Sequence, residues 1–329
     1  IMVYEARRDE RADLEKQAAL HGVELSVTDA VPTLENASLA AGCIGVSILG
    51  QGCIDAALLD AYHALGIRYL STRTIGYDHI DLDHARSIGL RVCSASYAPN
   101  GVADFTVMMI LMCLRHYKQA LWRGQVNDFS LTGLQGREMK DLTIGIIGTG
   151  RIGAQVVRNL SGFGCRILAY DLRRNPAVEP QVTYVDFDTL LAQSDVITLH
   201  MPLLDSNRHI INRESVAKMR DGVVIVNCSR GELADIEALI EGIETGKIGA
   251  LGMDTVEGDE GIIHADHRVD ILPNRNWFYL HQFRNVIMTQ HMAFYTDAAV
   301  SSMVDCGIGG ICQMAAGESC PTELTGPVQ

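Results

Sequence analysis

From residue 142 to residue 171 the chain reads LTIGIIG, TGRIG, AQVVRNLSGFGC, RILAYD. That is an apolar run, glycines at 148, 150 and 153, a helical stretch, a second apolar run and an acid. An apolar run of this kind suits a strand buried on both faces, which parallel sheets require. Glycines between strand and helix let the backbone turn tightly and approach a pyrophosphate at the helix N-terminus. An acid at the end of the next strand accepts ribose hydroxyls. Asp171 lies 18 positions after Gly153. A lone glycine triplet would be weak evidence, but here strand, turn, helix and acid agree. They predict a dinucleotide-binding βαβ unit over Gly148, Gly150, Arg151, Ile152, Gly153 and Asp171. The acid would repel a 2′-phosphate, which favours NAD over NADP. Arg173 and Arg174 read as solvated loop cations.

The same alternation runs through most of the chain. Strand candidates ELSVT (24–28), IGVSIL (44–49), IRYLST (67–72) and LRVCS (90–94) precede the glycine loop. DVITLHMP, GVVIVNCS, IGALGMD and NVIMTQ follow it, with helical stretches between. Repeated β–α alternation predicts α/β architecture with two doubly wound, Rossmann-like parallel sheets and a cleft between them. Residues 1–99 with 296–329 are expected to form a substrate domain, and 100–295 an NAD-binding domain. The helical tail 296–317 should pack back on the first domain. The run FTVMMILMCLRHY (105–117) is hydrophobic all round. It predicts a helix buried on every side, too short for a bilayer, with a subunit interface as burial partner. Residues 259–285 have no clear period and read as a long excursion with a short helix in it.

Composition limits the partners. With 27 Lys and Arg against 40 Asp and Glu the formal charge is −13. That argues against nucleic acid or an anionic membrane, both of which reward basic clusters. The nine Cys show no CxxC pair and no zinc spacing, so no metal site is expected and the thiols read as reduced. Residues 2–16, MVYEARRDERADLEK, lack a signal-peptide core, and a cytoplasmic location is expected.

Three further segments carry polar residues at strand ends, where open α/β sheets place their sites: NCSRGELAD (227–235), GMDTVEGDEG (252–261) and TQHMAFYT (289–296). Arg230 follows a fully apolar strand and is either a surface ion pair or a bidentate carboxylate clamp. Asp254 is a cap or a site acid, and His291 a structural or a proton-transferring imidazole.

Taken together, these residues make the chain resemble the D-isomer-specific 2-hydroxyacid dehydrogenases, and their D-lactate dehydrogenase branch most closely. The resemblance rests on TRTIGYDHIDL (72–82), SYAPN (96–100), GTGRIG, DVITLHMPL (195–203), NCSRGELAD, the Asp254-to-His291 spacing and HMAFYT (291–296). It implies NAD-dependent reduction of a small 2-oxo acid to the (R)-2-hydroxy acid. Pyruvate is the lead substrate, and 2-oxoisocaproate, phenylpyruvate or 2-oxoglutarate the alternatives. It also implies a catalytic set of Arg230 on the substrate carboxylate, His291 as acid and base, and a carboxylate beside His291. That carboxylate is usually Glu; here the matching position is Asp259, one methylene shorter, with Glu257 and Glu260 as neighbours. Ile75, Gly76, Tyr97, Arg230 and Tyr295 match substrate contacts. Met201, Pro202, Asn207, Cys228, Ser229, Arg230 and Asp254 match cofactor contacts. Arg73 is a substrate contact or an inter-strand salt bridge, and His200 reads as structural. A homodimer through the NAD domain is implied. An NAD(H)-sensing protein like the C-terminal-binding-protein co-repressors is the reading from another functional class.

Overall fold

The computed structural model describes residues 1–272 and 274–326. The chain divides into two compact units, residues 1–98 with 295–329 and residues 99–294.

In the first unit, β1 (Met2–Val3), α1 (Arg11–His21), β2 (Ser26–Val27), β3 (Gly45–Ile48), α2 (Ala56–Ala64), β4 (Tyr69–Thr72), α3 (Leu82–Ser87) and β5 (Arg91–Cys93) follow in order. The strands form a parallel sheet in the order β2-β1-β3-β4-β5. Side chains alternate across it. Met2, Tyr4, Val46 and Ile48 face a core with Leu58, Leu59 and Tyr62 of α2. Ile1 and Val3 face the other way, onto Leu14 of α1 and Val304, Ile308 and Ile311 of the C-terminal helix. Asp55 and Asp81 start α2 and α3 by accepting from the backbone N–H groups of Leu58 and His84. The two-residue strand β1 is shorter than any periodicity can resolve, whereas β2 lies inside the candidate ELSVT. β2 is exposed at both residues, so ELSVT supplies only an edge.

In the second unit the elements are α4 (Asn100–Leu114), α5 (Tyr117–Gln125), β6 (Thr143–Ile147), α6 (Arg151–Ser161), β7 (Arg166–Tyr170), β8 (Thr183–Tyr184), α7 (Phe187–Gln193), β9 (Val196–Leu199), α8 (Arg213–Lys218), β10 (Val223–Asn227), α9 (Ile236–Glu244), β11 (Ile248–Met253), α10 (Arg275–Gln282) and β12 (Val286–Met288). The strands form a second parallel sheet, β12-β11-β10-β9-β6-β7-β8. β6, β9 and β10 are buried at every residue, as their apolar runs require. The order reverses between β6 and β9, which places a topological switch point at the glycine loop after β6.

The apolar helix ends sooner than its sequence expectation. It ends at Leu114, and His116 at φ +50 breaks it from α5. Its burial is one-sided: Val102, Val107, Met109 and Ile110 are buried, whereas Met108 is 42% exposed in the isolated chain.

The tail returns to the first unit as α11 (Asp297–Ala315) and one further edge. α11 is long and apolar enough to cross a membrane by composition alone. Here Val300, Met303, Val304, Ile308 and Ile311 are buried in the core of the unit. Beyond it, Leu324 N donates to Val92 O at 2.8 Å and Ser94 N to Thr322 O at 3.0 Å. Arg91 clamps Glu323 with two bonds of 2.8 and 2.7 Å.

Candidate active site

The glycine loop is shaped by close backbone approach. Gly148 sits at φ +92, where a Cβ would lie 2.7 Å from the His200 carbonyl oxygen. A Cβ on Gly153 would lie 2.0 Å from the Gly148 carbonyl oxygen, whereas one on Gly150 would meet nothing within 4 Å. So two glycines permit the turn, and the third leaves open space at the N-terminus of α6. There the backbone N–H groups of the first turn and the helix dipole favour an anion. Arg151 and Ile152 open that helix. Asp171, at the end of β7, ties the loop: Thr149 donates to its Oδ2 from N at 2.6 Å and from Oγ1 at 3.0 Å. Arg173 N donates to Oδ1 at 3.0 Å. A carboxylate has about four acceptor sites, so Asp171 keeps capacity for ribose hydroxyls. Arg174 stacks over the Tyr184 ring at 5.5 Å rather than standing as a bare loop cation. Beside the loop His200 is half-buried, its Nε2 3.0 Å from Thr198 Oγ1 and its Nδ1 buried without a protein partner. Burial holds the imidazole down at about 3, so it is neutral at physiological pH. These features fit a dinucleotide. Gly153→Ala is expected to raise the NADH dissociation constant roughly tenfold or more, because the added methyl drives backbone from backbone. Fluorescence titration with NADH checks it; unchanged affinity would show that the loop does not carry the cofactor.

The loops after β9 and β10 are joined. The Ser229 hydroxyl donates to Met201 O at 2.6 Å. Asn207 donates from Nδ2 to Pro202 O at 2.8 Å and accepts from Leu204 N at Oδ1, also at 2.8 Å. Cys228 is buried, which pushes its thiol well above the ordinary range and leaves it an unreactive packing group.

Arg230, Asp254 and His291 follow β10, β11 and β12, three adjacent strands at one end of the sheet. Asn227 holds the Arg230 turn by donating to the Arg230 carbonyl at 2.7 Å. Asp254 is 1% exposed. Its Oδ1 accepts from Thr289 Oγ1 at 2.6 Å and Met292 N at 2.9 Å, and its Oδ2 from Ala293 N at 2.8 Å. One buried carboxylate therefore grips both sides of His291, which sits at φ +52. The resemblance expects a cofactor contact at Asp254; the structure shows it bracing the backbone around His291.

The three acids after β11 separate by their partners. Glu257 is engaged by His209 at 2.6 Å and Arg208 at 3.4 Å. Glu260 is exposed. Asp259 is half-buried and accepts from Val256 N at 3.1 Å. Burial, aided by repulsion from Glu260, Glu232 and Asp254, pushes its carboxyl up to about 6.

In the first unit, Ile75 and Gly76 follow β4 and Tyr97 follows β5. Thr74 braces that turn, its hydroxyl donating to Gly76 O at 2.6 Å. Tyr295 is 46% exposed, with the Arg7 guanidinium 5.1 Å above its ring. Arg73 is fully buried and paired with Glu10 at 3.0 Å, so it is a salt bridge of the core. Sequence reasoning missed Glu5, at φ +55. Its carboxylate accepts from Leu49 N, from Gly50 N at 2.9 Å, from Gln51 N at 2.8 Å and from Gly52 N at 3.2 Å, fixing the loop after β3. Only the paired glycines at 50 and 52 hinted at that loop.

Comparison with known proteins agrees with this geometry. Residues 107–293 match the family described as D-isomer specific 2-hydroxyacid dehydrogenase, NAD binding domain. The chain is 41% identical over 309 residues to an aromatic 2-oxoacid reductase of Clostridium sporogenes, covering 93% of each. It is 36% identical over 326 residues to the D-lactate dehydrogenase of Escherichia coli, covering 98% of this chain and 99% of that one. A solved structure of the pyruvate reductase of Chlamydomonas reinhardtii aligns with a TM-score of 0.89 at 34% identity, over 97% of both chains. The chain belongs to the D-isomer-specific 2-hydroxyacid dehydrogenases. It is an NAD-dependent oxidoreductase of 2-hydroxy and 2-oxo acids.

Proposed function

We propose that the chain reduces an aromatic 2-oxo acid of the phenylpyruvate kind to the (R)-2-hydroxy acid, with pyruvate as the second substrate. Pyruvate leads on sequence motifs. Identity favours the larger side chain: 41% and 43% to two aromatic 2-oxoacid reductases, against 36% and 39% to two D-lactate dehydrogenases. The observation that carries the chemistry is the placement of Arg230, the Asp254-held His291 and Asp259 after three adjacent strands.

In this reading Arg230 pairs with the substrate carboxylate and polarises the C2 oxygen. His291 gives that oxygen a proton in reduction and takes it back in oxidation. Asp259, when ionised, favours the protonated imidazole. Ile75 and Gly76 offer backbone N–H groups, and Tyr97 and Tyr295 supply aromatic contact. Gly148, Gly150, Arg151, Ile152, Gly153, Asp171, Met201, Pro202, Asn207, Cys228, Ser229, Arg230 and Asp254 hold the cofactor. Bound NADH supplies the hydride. Residues 99–294 are thus the NAD domain, and 1–98 with 295–329 the substrate domain.

The test is NADH oxidation against phenylpyruvate, pyruvate, 2-oxoisocaproate and 2-oxoglutarate, with Arg230→Gln in parallel. Preference for phenylpyruvate with loss of turnover in the variant is expected. Preference for pyruvate would replace the aromatic assignment, and turnover retained in Arg230→Gln would overturn the carboxylate clamp.

A homodimer through the NAD domain is supported by exposed Met108, Trp122, Phe129 and Leu131 on and after α4 and α5. Nine unpaired thiols support a cytoplasmic setting.

A further inference from the structure

The excursion after β11 carries a histidine back to the site. His264 Nε2 lies 3.2 Å from the main-chain carbonyl oxygen of His291. A carbonyl can only accept, so that nitrogen carries the proton and donates. The two imidazoles stand 6.1 Å apart, centroid to centroid. Phe294 packs edge-on to both, at 6.4 Å from His264 and 6.3 Å from His291. Both histidines lie in the left-handed region, His264 at φ +63 and His291 at φ +52. A non-glycine residue there is strained and persists only where its surroundings over-determine it. For His291 those surroundings come from two directions. Asp254 takes the N–H groups of Met292 and Ala293 from the core side, and His264 takes the His291 carbonyl from the excursion.

We propose that His264 is a positioning residue for His291. Its hydrogen bond fixes the peptide after the His291 side chain, and so the direction in which that imidazole points. The proposal rests on His291 as the proton carrier. It gives the excursion a task beyond supplying Asp259: without its grip the left-handed backbone at 291 has one fewer restraint and can relax, moving the imidazole away from the C2 oxygen. Proton transfer is sensitive to displacements of that size, because donor and acceptor must come within hydrogen-bond reach.

The test uses the full chain with NADH and its best 2-oxo acid. His264→Ala, His264→Gln and His291→Ala are compared with the unaltered protein for kcat, KM, NADH affinity and thermal midpoint. His264→Ala is expected to lower kcat about tenfold, with NADH affinity and the thermal midpoint unchanged. His264→Gln keeps a side-chain N–H of similar reach, and is expected to recover most of the lost kcat. A His264→Ala protein with full kcat would overturn the proposal. So would equal loss in the Ala and Gln variants, which would assign the effect to the ring rather than to its hydrogen bond. Loss confined to NADH affinity or folding would also overturn it. His291→Ala separates the two ideas. Turnover lost there but kept in His264→Ala sinks the positioning role alone. Turnover kept in His291→Ala sinks the proton-carrying role, and the positioning role with it.

Discussion

His291→Ala is expected to lower kcat for the preferred 2-oxo acid by roughly a thousandfold, the usual worth of a positioned general acid. The NADH dissociation constant should be unchanged, since the glycine loop and Asp171 lie after other strands of the sheet. Such a split would show an interaction made in the transition state rather than in binding. Stopped-flow NADH oxidation and fluorescence titration measure the two halves. Asp259 adds a pH dependence with a definite sign. Its carboxyl is pushed up to about 6, so it loses its proton as pH rises through that value. Above that value the ionised carboxylate favours the imidazolium that reduction needs, so reduction by the unaltered protein should persist to higher pH than in Asp259→Asn, whose neutral side chain lets the imidazole lose its proton sooner. An alkaline limb at the same pH in both proteins would remove Asp259 from the proton path. Stability follows the same linkage: a raised carboxylate pKa favours the fold while the group is protonated, and that contribution is lost as pH climbs toward 6.

Glu10→Ala is expected to destabilise the protein by about 3–5 kcal/mol, the cost of breaking a buried ion pair from one side. Arg73 and Glu10 are both fully buried, joined at 3.0 Å. Arg73 also donates to Ser47 Oγ at 3.2 Å and to the Tyr4 carbonyl at 3.0 Å. Removing Glu10 leaves the guanidinium charged, dry and held by neutral acceptors alone. A Cβ on Gly307 of α11 would lie 2.8 Å from Arg73 Cγ, so the helix is packed against the arginine stem and gives it no route to water. The denaturant midpoint of the first unit should fall with little change in slope. Replacing both partners together, Glu10→Leu with Arg73→Met, should restore most of the loss, because no charge is then stranded. If Glu10→Ala left the midpoint in place, the pair would contribute nothing to stability.

Much of the fold and of the candidate site was legible in the sequence because the relevant signals are local. A buried parallel strand needs an unbroken apolar run, and a tight turn against a helix N-terminus needs glycine. An acid one strand later is a short step along the chain. That is why the loop at 148–153, Asp171 and the residues after β10, β11 and β12 are legible at strand ends from the chain alone. The two-residue strands β1 and β8 are not, since they are too short to show a period. Nor was the edge at Thr322–Leu324 visible, because its partner strand lies far away in sequence.

The choice of partner was decided only in three dimensions. Arg73 sits beside the substrate-loop motif, and its sequence context suited a substrate or a salt bridge equally. Glu10, 63 positions away, settles it as a structural pair. Three acids, Glu257, Asp259 and Glu260, follow β11 within four positions, and the sequence favours Asp259 by position alone. His209, 48 positions before Glu257, takes that carboxylate and leaves Asp259 in the half-buried place. His264 looked like one more residue of an irregular loop until the fold brought it within 3.2 Å of the His291 carbonyl. Periodicity and backbone stereochemistry act between neighbours, so the sequence determined the elements, their order and the strand ends that carry chemistry. Burial and charge pairing act between segments that meet only on folding, so the tertiary structure alone decided which ionisable groups hold the protein together and which remain for the reaction.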